Sequence, residues 1–188
     1  MNVSVNKGLA LIRSIPFYPV IQTKIKQSFL STGLLLLGVA FEEVAKRVPE
    51  LRAEIAYWED GRRFGVGVLP NGPYITLEKR GDMIYFLGKG LMKPDVSLLF
   101  KNLDSGMYVF SGLMGAHTAV AENRVLVKGN NSYAMEATRA MSIVQAYLLP
   151  GIVHKIIFKD PPKFSFGQIL TKIKVSLALG PGIFKHLF

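Results

Sequence analysis

The sequence predicts an α/β (α+β) fold, a mainly antiparallel sheet of short strands framed by helices. Short apolar runs separated by tight turns recur between residues 51 and 100, and helical stripes lie on either side of them. At 188 residues the chain suits one domain with added terminal segments. With 49% apolar residues, 19% charged residues and a mean hydropathy of +0.29, it is too apolar to remain disordered.

Pro16 and Pro19 interrupt any early helix and leave residues 1–18 as an arm. From Val20 to Lys46, Leu30, Leu34, Leu37, Phe41 and Val44 recur at helical spacing, and Val48 extends the stripe. The most apolar part, Phe29 to Phe41, is thirteen residues long, short of the roughly 20 a bilayer core requires. An amphipathic or buried helix is therefore expected rather than a span, with Glu42 and Glu43 on a solvated face. Leu51–Trp58 and Arg63–Leu69 flank Glu59-Asp60-Gly61-Arg62, which reads as a hairpin on its Asp-Gly pair. Strands Tyr74–Glu78, Met83–Leu87 and Asp95–Phe100 follow, separated by Pro70-Asn71-Gly72-Pro73, Arg80-Gly81-Asp82 and Lys93-Pro94. Gly65 and Gly67 mark a strand face left open for close approach. Asp104 is the expected N-cap of a short helical pair broken at Gly112 and Gly115. A sixth strand, Val125–Lys128, and a long helix from Asn131 or Ser132 to Leu149 complete the core. That helix would turn Ala137, Ala140, Met141, Val144, Tyr147 and Leu148 inward.

Catalytic and metal-binding classes find no support. There are no cysteines, and His117, His154 and His186 share no metal-ligand spacing. No G-x-S-x-G elbow occurs, and Gly65-Val66-Gly67 and Gly88-Lys89-Gly90 lack the remaining residues of a phosphate loop. His117 reads as a satisfied polar residue at a helix start. No enzyme activity, metal or cofactor is expected.

The formal net charge of +10 is concentrated at the two ends. Residues 1–41 hold four basic residues and no acid, and residues 155–188 hold six lysines against Asp160. The centre, residues 42–154, is nearly balanced, with thirteen basic and twelve acidic residues. Basic residues beside apolar runs suit an anionic lipid surface better than nucleic acid.

Lys93-Pro94-Asp95-Val96-Ser97-Leu98-Leu99-Phe100, the short helical pair, Arg124-Val125-Leu126-Val127-Lys128-Gly129-Asn130 and then Ala134-Met135 resemble, in that order, the sterol carrier protein 2 (SCP2) family. The resemblance covers roughly residues 50–149. Asn123 stands where the family has glycine, and asparagine also tolerates a left-handed turn. The resemblance implies an SCP2-like sandwich: a twisted, mainly antiparallel sheet of about five to six strands, helices over one face, and an apolar cavity. It also implies a lipid ligand, whether fatty acid, acyl-CoA, sterol or isoprenoid. On that basis Trp58, Phe110, Leu113, Met114, Val120, Met141, Val144 and Leu148 are the expected ligand-lining residues.

Beyond the core, Phe166, Ile169, Leu170, Ile173 and Leu177 recur at helical spacing, with Lys172 and Lys174 on other faces, before Gly180-Pro181-Gly182 bends the chain. This segment reads as a lid over the cavity, a membrane-interface helix or a homodimer contact. The expected organisation is an arm and helix over 1–48, a lipid-binding core over 49–158 and a basic amphipathic extension over 159–188. The expected function is non-enzymatic binding and intermembrane transfer of a long-chain or isoprenoid lipid, in the cytoplasm and peripheral at a membrane. The alternative is an accessory subunit presenting a lipid or quinone-like substrate to membrane-associated enzymes.

Overall fold

Helix α1 (Tyr18–Arg47) is the longest element of a computed structural model that describes residues 18–148 and 166–187. Residues 1–17 of the expected 1–18 arm and the stop at Pro150-Gly151 lie outside the described residues, whereas Tyr18 and Pro19 already belong to α1, where a proline in the first turn is tolerated. The predicted stripe is the buried one: Leu30, Leu34, Leu37, Phe41, Val44 and Val48 are each at most 2% exposed. Two glycines inside this helix cost about 1 kcal/mol each relative to alanine, and both lie under aromatic rings. A Cβ at Gly33 would sit 2.8 Å from the Phe110 ring, and one at Gly38 2.6 Å from the Phe86 ring. The most apolar part of α1 reaches a mean hydropathy of 1.5 and is long enough to cross a membrane, yet 67% of it is buried against the rest of the chain. That burial marks α1 as a core helix over most of its length.

Glu42 and Glu43 do not form a solvated face. Both are buried; Glu42 Oε1 accepts the Phe86 N–H at 2.8 Å, while Glu43 pairs with Lys46 at 2.7 Å and with Arg47. The next segment also departs from expectation, because residues 49–55 form helix α2 (Pro49–Ile55), not a strand. Proline at the first helical position presets φ, and Leu51 and Ile55, four residues apart, are both fully buried. Asp60-Gly61 thus joins a helix to a strand rather than closing a hairpin, with Gly61 at φ 82°.

The sheet has five strands: β1 (Arg63–Val68), β2 (Tyr74–Arg80), β3 (Met83–Lys89), β4 (Val96–Phe100) and β5 (Val125–Gly129). Their spatial order is β3-β2-β1-β4-β5, with β1 and β4 parallel and every other neighbouring pair antiparallel. Phe64 pairs with Leu77, Val66 with Ile75 and Leu98, and Val68 with Phe100. These side chains share one face, and it is the face the helices cover. On the other face Glu78 lies between Arg63 and Arg80, whose hydrogen bonds (Arg80 first) hold its carboxyl below the usual range. The expected opening over Gly65 and Gly67 is filled. A Cβ on Gly65 would meet Leu91 at 2.7 Å, and one on Gly67 would overlap the Tyr74 ring.

Helices α3 (Leu103–Phe110) and α4 (Ala116–Ala121) form the short pair. The N-cap of α3 is Asn102, whose side chain accepts the Ser105 N–H; Asp104 stands instead in the first turn and pairs with Lys26 at 2.5 Å. Asn123 adopts φ 57°, the left-handed conformation expected of it. Helix α5 (Asn131–Leu148) buries Ala137, Ala140, Met141, Val144 and Tyr147, with Leu148 half-buried at its end. Helix α6 (Phe166–Leu187) packs on α1 and α5 and continues through Gly180-Pro181-Gly182, where a bend was expected. A proline deletes one helical hydrogen bond and need not end the helix.

Phe41 is fully buried and meets Phe64 edge to face at 5.3 Å. Phe41→Ala is expected to lower unfolding free energy by about 3–5 kcal/mol, read as a fall in the denaturant midpoint at unchanged slope.

Candidate functional site

The expected ligand-lining residues divide into three groups. Trp58, Met141 and Val144 are buried within one continuous apolar core that also contains Leu34, Leu37 and Phe41 of α1. Phe110, Met114, Val120 and Leu148 are partly buried and pack against that core. Leu113 is 57% exposed and does not join them. It lines an open recess of about 260 Å³ with Asp104, Met107, Tyr108 and Ser111. Phe110 meets Phe100 edge to face at 5.9 Å and lies beneath Gly33. Helix α1 contributes its buried side chains to the same core as these residues.

On α6 the docked edge differs from the expected stripe. Val175 and Leu179 are buried, whereas Ile169, Leu170, Ile173 and Leu177 are 44–73% exposed. The side chain of Phe166 lies outside the described residues. Lys174 is exposed, and half-buried Lys172 donates to the Ala146 carbonyl at 2.9 Å. Gln168 donates to Glu50 at 2.9 Å, which ties the start of α6 to α2. Burial lowers the Lys172 amine to about 8.

The first turns of α1 match this surface. Val20, Ile21, Ile25 and Phe29 are 43–64% exposed, and Val20 lines an open groove of about 340 Å³ with Thr23, Lys24 and Gln27. One helix thus has a buried apolar half and an exposed apolar end. In the sequence, polar residues such as Lys24, Lys26, Gln27 and Ser28 interrupt the stripe before Leu30.

A third cluster was missed, because Arg62 reads as a turn residue. Arg62, 8% exposed, places its guanidinium 3.6 Å from the Tyr133 ring centroid and 5.4 Å from that of Trp58, and it pairs with Glu136. Its Nε and the Trp58 Nε1 are buried and have no hydrogen-bond partner. Lys79 donates to the Trp58 carbonyl at 2.6 Å and pairs with Asp60 at 2.9 Å. A signal existed in Tyr133 and Glu136, three apart on one helix face, but nothing in the sequence connected them to Arg62. His117 stands on α4 within 3.1 Å of Ser142 Oγ, tying α4 to α5. Among the described residues, no three His, Asp or Glu side chains gather where a metal ion would bind.

No protein-family model matches the sequence, and no curated protein matches it. Among solved structures the chain is similar to a crystal structure of sterol carrier protein 2, at 13% identity, over 58% of this chain and 93% of that one, with a TM-score of 0.45. It is also similar to a conserved hypothetical protein from Thermus thermophilus described as possibly sterol carrier protein (14% identity, 58% and 85% covered, TM-score 0.42). A third is a UbiJ-SCP2 ubiquinone synthesis protein (14% identity, 69% and 99% covered, TM-score 0.38). The chain is thus similar to solved structures of the family whose motif order its sequence resembles.

The lowered amine of Lys172 makes the packing of α6 dependent on pH. In the unfolded chain a lysine titrates near 10.5, so the folded state carries a penalty below pH 8 that is relieved as pH rises from about 8 to 10.5. The stability of the protein relative to its Lys172→Met variant is expected to rise across that window. Thermal unfolding of both at several pH values measures it, and a constant difference from pH 7 to 10.5 would refute the desolvation of Lys172.

Proposed function

We propose that this chain is a non-enzymatic lipid-binding module that works at an anionic membrane surface, where it takes up or delivers a long-chain or isoprenoid lipid. One observation carries the reading. Helices α1 and α6, packed on each other, leave eight large apolar side chains exposed: Val20, Ile21, Ile25, Phe29, Ile169, Leu170, Ile173 and Leu177. Over Tyr18–Phe41 and Phe166–Leu187 the only formally charged side chains are lysines: Lys24 and Lys26 on α1, and Lys172, Lys174 and Lys185 on α6. A patch of this kind is costly in water and complementary to an anionic bilayer.

The magnitudes are sufficient. Full burial of a large apolar side chain is worth ~1.5–3 kcal/mol, so eight residues roughly half exposed can gain several kcal/mol in the interface. Exposed lysines such as Lys174 add about 1 kcal/mol each near an anionic surface, and that share is screened by salt. The sum supports reversible attachment, as a module that must leave the membrane with its cargo requires. The order of sequence motifs shared with the SCP2 family supports a lipid as that cargo.

Liposome flotation tests the attachment. The full chain is expected to float with vesicles containing phosphatidylglycerol, more weakly with phosphatidylcholine alone, and less as salt rises. Ile173→Asp with Leu177→Asp is expected to lower vesicle affinity at least tenfold, about 1.4 kcal/mol, while leaving Phe41 and its neighbours buried. Unchanged flotation of a folded variant would rule out this face. Dissociation of a lipid-free dimer by the same substitutions would assign the face to a second copy instead.

A further inference from the structure

The Arg62 cluster contains two buried side-chain donors. Buried N–H groups in folded proteins are nearly always paired, yet Trp58 Nε1 and Arg62 Nε are both buried without a partner and belong to residues stacked on each other. Trp58 is 3% exposed and Arg62 8%. Tyr133 and Glu136 are only partly buried, so the cluster reaches from the apolar core toward its rim. We propose that these two donors receive the uncharged oxygen of the bound lipid, a hydroxyl or carbonyl, while its chain lies along the neighbouring apolar side chains. This rests on the lipid-binding reading and narrows the class of lipid.

The charges decide which oxygen fits. Arg62 is already neutralised by Glu136, and Lys79, which holds the Trp58 carbonyl, is neutralised by Asp60. A carboxylate or phosphate brought to the remaining donors would leave an uncompensated negative charge in a nearly closed site. A ketone, ester or alcohol oxygen accepts from the indole and guanidinium N–H groups and adds no charge. The Arg62 guanidinium lies over the rings of Tyr133 and Trp58, and such stacking uses the plane of the guanidinium and not its N–H groups.

Trp58 is the only tryptophan in the chain, so its indole N–H gives a single, assignable reporter. The ¹⁵N-labelled full chain is titrated with 2-tridecanone, 1-dodecanol, dodecane and dodecanoate while the indole N–H resonance and the affinity are followed. The ketone and the alcohol are expected to move the indole proton downfield and slow its exchange with solvent. Dodecane and dodecanoate are expected to leave it in place. Arg62→Lys keeps a cation for Glu136 but removes Nε, and should weaken the ketone about fivefold with dodecane unchanged. If the ketone binds with the indole unmoved, the proton is already met by water or by the Phe64 ring, and the proposal falls while lipid binding stands. An equal shift with dodecanoate overturns the neutral-oxygen assignment. If none of the four binds, the lipid-binding reading falls with it. The comparison of probes on the unmodified chain stands even if the Arg62 variant does not fold.

Discussion

Leu34, Leu37, Phe41 and Val44 of α1 reach the inner face of the sheet because Gly33 and Gly38 let the helix lie against Phe110 and Phe86 without a Cβ between them. Those two glycines cost the helix about 2 kcal/mol in propensity. Burial of Leu30, Leu34, Leu37, Phe41 and Val44 contributes ~1.5–3 kcal/mol apiece, so packing wins by a wide margin. Everything else is arranged around that seam. The strands present Phe64, Val66, Ile75, Leu77, Leu98 and Phe100 to it, and α5 closes it from beside the sheet. Even the buried carboxylate of Glu42 serves it, reaching the backbone of β3 from the end of the same stripe.

This seam also explains the position of the exposed residues. A helix of thirty residues is about 45 Å long, more than the sheet it crosses can cover. The first three turns of α1 therefore project past the covered face and carry Val20, Ile21, Ile25 and Phe29 into solvent. Helix α6 docks through Val175 and Leu179 and leaves its own larger stripe outward. The desolvated amine of Lys172 weakens the same docking at neutral pH.

Buried polar groups occur in several places, among them Glu42 on α1, Glu78 on β2 and Gln145 on α5. Arg62, Glu136, Lys79 and Asp60 pair off in charge around Trp58, yet two N–H groups stay unmet. In a low-dielectric interior an unsatisfied donor is costly. Its retention beside paired charges is what directs attention to an uncharged acceptor.

Periodicity by itself determined α5 and α1, where the spacing of Leu30, Leu34, Leu37 and Phe41 records the buried face, and short apolar runs between turn signals determined all five strands. It failed at residues 49–55, where Leu51 and Ile55 fit a helix, but the following Asp60-Gly61 suggested a hairpin; a local turn signal cannot report that its first arm is a helix. It also showed a stripe on α6 without showing which side docks, since Val175 and Leu179 and the Ile169–Leu177 row are both apolar at helical spacing. Only the tertiary structure decided that. The Arg62 cluster lay further out of reach: its paired members Arg62 and Glu136 are 74 residues apart in the chain, and stacking and ion pairing between them exist only once β1 and α5 are brought together. Sequence order and spacing specify what each element can bury; which neighbour it meets, and which donors are left unpaired, depends on how the elements close on one another.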